Sequence, residues 1–306
     1  MDDTAPVRQT LQKLKAGDTV CLVSPASTPE KTSVEACKGF LESLGLQVVV
    51  GRHALDKYGY LAGRDEDRLA DINEAIRSPE IRAIIATRGG KGAYRIADQL
   101  DFASLRDDPK LLIGFSEITI LHLAIWRQCA IPGVHGAAWL PDPANPASSQ
   151  SFQNVLFGSE ATVVHSNESE PTSALTTTGQ SRGTLLGGNL DMIATAAGWT
   201  LPSLEGAIVL IEDVEKGLGH IDRNLTRLVK SGCLNGIRGI AVGQFTGFTP
   251  SKGVTVVDVL RDRLAPLGVP ILGGLPIGHG RNPVAIPVGT EAFLDADKRI
   301  LTVSDV

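Results

Sequence analysis

The chain has 306 residues, of which 42% are hydrophobic and 21% charged, the balance of a globular protein with one large core or two domains. A net charge of −5 with no Lys/Arg cluster argues against a phosphate-binding face, so nucleic acid is excluded as a partner. Scattered single cysteines (Cys21, Cys37, Cys129 and Cys233) offer no zinc or redox pair, the N-terminus has no apolar signal-peptide core, and no apolar run nears the roughly 20 residues of a membrane span; a cytoplasmic protein is expected.

In chain order, residues 19–23 (TVCLV) read as a strand that ends in the turn Ser24-Pro25-Ala26-Ser27. A helical pattern covers residues 29–44, and 46–50 form a second strand. Residues 68–76 are helical, and 81–86 are a third strand followed by Arg88-Gly89-Gly90-Lys91-Gly92 and a helix. Residues 111–113 are a fourth strand, leading through Gly114-Phe115-Ser116-Glu117 into a helix that reaches about residue 127. Continuous apolar strands alternating with helices indicate an α/β domain with a parallel sheet covered on both faces.

The alternation stops after Trp139. Residues 141–150 are rich in Pro, Ala, Asn and Ser, and 166–182 in Ser, Thr and Glu, which reads as loop and linker. Beyond them, 183–198 suggests a turn entering a helix and 207–211 a strand. Residues 218–231 and 254–264 read as helices, and 239–245, 291–294 and 300–303 as strands. The expected organisation is an N-terminal α/β domain over 1–165, a linker over 166–182, and a smaller β-rich domain over 183–306.

Ser116 sits in a strand-turn-helix segment, LLIGFSEIT. Such a turn exposes a hydroxyl at the carboxyl end of the sheet, beside a helix N-terminus that favours developing negative charge. The pattern is G-x-S-x-I, because Ile118 occupies the second glycine of the usual nucleophile elbow. Locally, a serine that merely caps its helix would look the same. The glycines at 89, 90 and 92 let backbone amides approach an anion. A dinucleotide fingerprint fails at Tyr94 and Arg95, and a P-loop fails because Gly92 follows Lys91. An oxyanion hole made by the amides of Gly90 and Glu117 fits better.

A nucleophilic serine needs a base. His279 lies in the glycine-rich loop LPIGHG, and a neutral imidazole takes a serine proton near neutral pH. His135 follows a strand-like stretch and is placed at the cleft. His122 lies on the helix after Ser116 and is read as packed, while His53, His165 and His220 are read as surface or structural. Glu212 and Asp213 both end the strand AIVLIEDV, and either could orient the imidazole.

The segments SPAS (24–27), RGGKGAYR (88–95), LIGFSEIT (112–119), VHG (134–136), LLGGNLDMI (185–193), LIEDV (210–214), IDR (221–223) and LPIGHG (275–280) together resemble the LD-carboxypeptidases, or murein tetrapeptide carboxypeptidases, serine peptidase family S66, which include the microcin C self-immunity peptidases. The resemblance runs nearly end to end. It implies a Ser-Glu-His triad of Ser116, Glu212 and His279, oxyanion amides at Gly90 and Glu117, and an α/β domain joined to a smaller β-rich one. It further implies a homodimer that needs no metal or cofactor, with Arg88, Gly89, Lys91, Trp139 and Asn189 near the substrate. Lys91 stands where many of these carboxypeptidases carry an aromatic residue, and Ala137-Ala138 replace a frequent Gly-Pro-Met. The expected reaction releases the terminal D-Ala of a murein tetrapeptide. The alternatives are cleavage of a peptidyl-nucleotide antibiotic and non-catalytic binding of a small molecule.

Overall fold

The computed structural model describes residues 11–136 and 146–306, folded around two sheets. Strands β1 (Thr19–Val23), β2 (Gln47–Val50), β3 (Ile81–Ala86), β4 (Leu111–Gly114) and β5 (Gly133–His135) are parallel and lie in the order β2-β1-β3-β4-β5. Helices α1 (Lys31–Ser43), α2 (Asp65–Arg77), α3 (Phe102–Asp107) and α4 (Thr119–Cys129) connect them. Helix α1 buries Val34, Cys37 and Leu41, an i, i+3, i+7 stripe turned to the sheet.

After α5 (Pro146–Phe157) and β6 (Thr162–His165), the chain runs through β7 (Gln180–Asn189), α6 (Leu190–Ala196), β8 (Ile208–Val214), α7 (Leu218–Lys230), β9 (Gly239–Thr246), α8 (Val256–Leu264) and β10 (Ile271–Leu272). It ends in β11 (Ile286–Val288), β12 (Glu291–Asp295) and β13 (Ile300–Val303). The second sheet has the order β10-β9-β8-β7-β12-β13-β6, parallel from β10 to β7 and antiparallel beyond. Helix α4 is buried almost all round because α6 and β7 pack against it as well as its own domain.

Two sequence expectations are corrected. Residues 183–189 are strand, not turn: Gly183 and Gly187 bring β7 so close to the backbone carbonyls of Gly206 and Leu210 that a methyl group would collide. After Gly92 there is a single 3₁₀ turn, Ala93–Arg95, in place of a full helix. The two sheets also exchange strands between the halves of the chain. Strand β6, inside 1–165, pairs with β13, and β11, inside 183–306, pairs antiparallel with β5 at the edge of the first sheet. Each half thus lends the other an edge strand.

Candidate active site

In the first sheet the strand order reverses between β1 and β3, so the loops leaving their carboxyl ends diverge and open a crevice. The loop after β1 (24–27) and the loop after β3 (87–92) form its walls. Ser24 Oγ and Thr87 Oγ1 share a hydrogen bond of 2.6 Å, the Ser27 amide donates to the Gly89 carbonyl at 3.3 Å, and the Lys91 amide donates to Ser27 Oγ at 3.0 Å. Below them the fully buried Arg68 guanidinium of α2 donates to the carbonyls of Pro25 (2.5 Å) and Gly92 (2.8 Å). Sequence reading missed Arg68, since an arginine on an amphipathic helix ordinarily faces water.

Ser116 begins the turn after β4 with φ 62°, a left-handed conformation costing a non-glycine residue about 1 kcal/mol or more. The backbone of residue 89 presses against it: a Cβ there would stand 2.9 Å from Ser116 Cβ and 3.3 Å from the Glu117 amide nitrogen. Gly90 has φ +109°, and a methyl there would strike Ser27. The buried Glu117 side chain locks the two loops together. Its Oε1 accepts the amides of Gly92 (2.7 Å) and Ala93 (3.2 Å). Burial raises its carboxyl above the usual range despite those donors.

His279, in the loop after β10, places Nε2 2.9 Å from Ser116 Oγ, and its Nδ1 lies 2.6 Å from Glu212 Oε2. Burial alone would lower the imidazole pKa, but the bond to Glu212 and its charge outweigh that and raise it. Glu212 is completely buried, which raises its carboxyl even though His279 pulls the other way. The register of β8 with β9 shifts between Ile211 and Asp213, a bulge at the residue that reaches His279. Successive side chains of a strand point to opposite faces, so the two candidate carboxylates diverge. Asp213 turns to Asn189 Nδ2 (3.1 Å) and Lys216 Nζ (3.2 Å), and Lys216 in turn meets Asp191 at 2.6 Å. The Phe115 ring lies 4.8 Å from that of His279 and edge-on to that of His135 at 6.0 Å.

Pro29, Glu30, Ser33, Arg88, Ser116 and His279 are among the residues that line one cleft. Arg88 is exposed there and donates to the Thr28 carbonyl at 3.2 Å, and Lys91 is exposed on the same loop. Asn189 departs from expectation. It is buried at the end of β7, accepts the Met192 amide as the N-cap of α6 and donates to Asp213, so its amide braces the site from within. Trp139 and Ala137-Ala138 lie outside the described residues. His135 is 1% exposed and sits behind the cleft. His122 is packed, with Nε2 2.9 Å from the Gly114 carbonyl, its pKa lowered to about 4 by burial. Among the described residues one group could gather a metal, His53, Asp56 and Asp67. His53 Nδ1 is already 2.8 Å from Asp56, Asp67 accepts the Arg64 amide, and none of the three lines this cleft.

Known proteins resemble this chain over both of its halves. Residues 20–136 match the LD-carboxypeptidase N-terminal domain and 182–294 the LD-carboxypeptidase C-terminal domain. The chain is 34% identical to the probable murein peptide carboxypeptidase of Bacillus subtilis, over 95% of this chain and 92% of that one. A solved structure of the muramoyltetrapeptide carboxypeptidase from Oxalobacter formigenes superposes with a TM-score of 0.82 at 27% identity, covering 94% of this chain and 99% of that one. The microcin C7 self-immunity protein MccF, in its wild-type apo state, shares the fold with a TM-score of 0.86 at 21% identity, covering 97% and 98%. The chain belongs to the LD-carboxypeptidase family and is a serine-type carboxypeptidase.

Proposed function

We propose that this chain hydrolyses the bond between the L-centre of the diamino acid and the terminal D-Ala of murein tetrapeptides, in the cytoplasm and as a homodimer, through Ser116, Glu212 and His279. The observation that carries the reading is the unbroken chain from Ser116 Oγ to His279 Nε2 (2.9 Å) and from His279 Nδ1 to Glu212 Oε2 (2.6 Å). His279 takes the hydroxyl proton as Ser116 Oγ attacks the scissile carbonyl carbon, and Glu212 stabilises the resulting imidazolium. The amides of Gly90 and Glu117 bind the oxyanion, each donor worth about 3 kcal/mol in related chemistry. The imidazolium then protonates the departing D-Ala amine, and a water activated by His279 clears the acyl-enzyme. Arg88, exposed on the cleft wall, suits a substrate that ends in a carboxylate.

The test is mass spectrometry of the protein incubated with L-Ala-γ-D-Glu-meso-diaminopimelyl-D-Ala and, separately, with a peptidyl adenylate. Release of D-Ala by the wild type and none by Ser116→Ala supports the proposal. Cleavage of the adenylate alone supports a self-immunity peptidase, a reading favoured by the exposed Lys91 cation on the loop beside Ser116. Turnover unchanged in Ser116→Ala rules out catalysis through this serine.

A further inference from the structure

Glu212 uses one carboxylate oxygen, Oε2, on His279, and its other oxygen, Oε1, makes no hydrogen bond of normal geometry among the described residues, although the Asn189 amide lies near enough to lower the carboxyl pKa. The residue is 0% exposed, so no bulk solvent reaches that oxygen. Facing it is His135, at the end of β5 in the other sheet and itself 1% exposed, with neither ring nitrogen partnered. His135 Nε2 stands 3.8 Å from Glu212 Oε1. A buried polar atom left unpaired costs about 1–3 kcal/mol. Here one orphan can donate, the other can accept, and a displacement of roughly 1 Å would pair them.

We propose that His135 is a positioning residue of this site: its Nε2–H holds Glu212 Oε1, so that the orienting carboxylate is gripped by one histidine on each oxygen. The proposal rests on the triad reading above. Catalytic hydrogen bonds are often long in the free enzyme and tighten when substrate binds, and 3.8 Å is a separation of that kind. The backbone packs closely behind both groups. At Gly188 a Cβ would stand 2.8 Å from His135 Nδ1, and at Gly278 one would stand 2.6 Å from Glu212 Oε2. Glycine at both positions lets backbone pack where a side chain would push the pair apart.

The placement of His135 gives this contact leverage. In the sheet it is paired with Gly114 of β4, two residues before the nucleophile, on one side, and with Ile286 of β11 on the other. A bond from His135 to Glu212 therefore ties the strand that carries Ser116 to the sheet that carries Glu212. The charge state is suitable too. Burial, with the neighbouring His122 and His279 charges, holds the His135 pKa well below the ordinary histidine value. A neutral ring donates one proton without competing for the positive charge that His279 acquires. On Glu212 the Asp213 charge acts in the raising direction, while His279 and the Asn189 side chain act in the lowering one.

The test compares His135→Phe, which keeps a ring but has no donor, with His135→Gln, which keeps an N–H. For D-Ala release from the tetrapeptide, His135→Phe should lower kcat about 10-fold or more with KM within about 2-fold. Its acid limb should move up by roughly half a pH unit to one unit, because a carboxylate stripped of its second donor holds a proton more tightly. His135→Gln should recover most of both. ¹⁵N NMR of the wild-type imidazole, free of substrate, should show the Nε2–H tautomer with a proton protected from exchange. The proposal is overturned if folded His135→Phe keeps the wild-type kcat and acid limb, if Gln is as impaired as Phe, or if NMR shows the Nδ1–H tautomer. The NMR result decides if His135→Phe does not fold. If the wild type releases no D-Ala, the functional reading fails while the tautomer still judges His135.

Discussion

His279 Nε2 stands 2.9 Å from Ser116 Oγ although 163 residues separate them in the chain. The serine comes from the carboxyl end of β4 in the first sheet, the histidine from the loop that leaves β10 in the second. The contact thus lies at the junction of the two sheets, and anything that moves one against the other moves this distance.

Replacing the nucleophile tests function and strain together. Ser116→Ala should cut turnover by about 10⁴-fold or more, since the remaining residues of such a triad work poorly without their partner. Ser116→Gly should be equally inactive but more stable than Ser116→Ala by about 1 kcal/mol, because glycine adopts φ 62° freely. Thermal unfolding of the two variants measures the difference; equal midpoints would mean the turn is unstrained.

The glycine loop is set by close approach, not by flexibility. Gly89→Ala would place a methyl 2.9 Å from Ser116 Cβ and 3.3 Å from the Glu117 amide nitrogen. Both kcat and acylation of Ser116 should fall by about 10²-fold or more, in line with losing an oxyanion donor, while circular dichroism stays native. Single-turnover kinetics separates this effect from weaker substrate binding.

The pH dependence has a defined sign. His279 must be neutral to accept the serine proton, and Glu212 holds its pKa above the ordinary histidine value of about 6.5. Activity should therefore rise with pH through a limb above that value. In Glu212→Gln the main raising cause is gone, the smaller raising effect of Asp213 remains, and burial and Lys216 still lower. The limb should shift to lower pH while kcat drops about 10²- to 10⁴-fold. A pH profile of kcat/KM for both proteins gives the comparison, and a limb that does not move would detach Glu212 from His279.

Glu117 should matter through its side chain as well as its amide. Glu117→Ala removes the acceptor for the Gly92 and Ala93 amides, buried donors that then stand unpaired at about 1–3 kcal/mol. Urea unfolding should show a loss of that order, with reduced kcat as the loop loosens. Full activity in the folded variant would mean that the loop is held by Arg68 and Ser27 alone.

Asp191 links acid stability to the brace behind the site. Burial alone would raise its pKa, but Lys216, His220 and Asn224 together lower it to about 2. A carboxylate depressed in the fold stabilises above its unfolded pKa, and that stability is lost as pH falls from about 4 towards 2. Asp191→Asn should be less stable by about 2 kcal/mol at neutral pH and should lose less between pH 4 and 2 than the wild type. Denaturant midpoints across that range provide the check.

The sequence by itself determined the parallel α/β half and the serine turn. Apolar strands such as 81–86 and 111–113 must be covered on both faces, and the helix stripes that cover them lie in the same local stretch of chain. It also identified Gly89, Gly90 and His279 as chemically unusual, because glycine and histidine loops have few ordinary reasons to exist. The residues by themselves left open which carboxylate meets the imidazole; the resemblance implied Glu212, and the physical reason lies in the tertiary structure. Glu212 and Asp213 are adjacent, equally buried and on opposite faces of β8, and only the packed fold shows that one face meets His279 and the other Asn189 and Lys216. The same holds for Arg68 beneath the loops, for Asn189 inside the brace and for the exchanged edge strands β6 and β11. Those depend on pairings between residues far apart in the chain. Local propensity carries no record of such pairings, because their energy exists only once the backbone has brought both partners together.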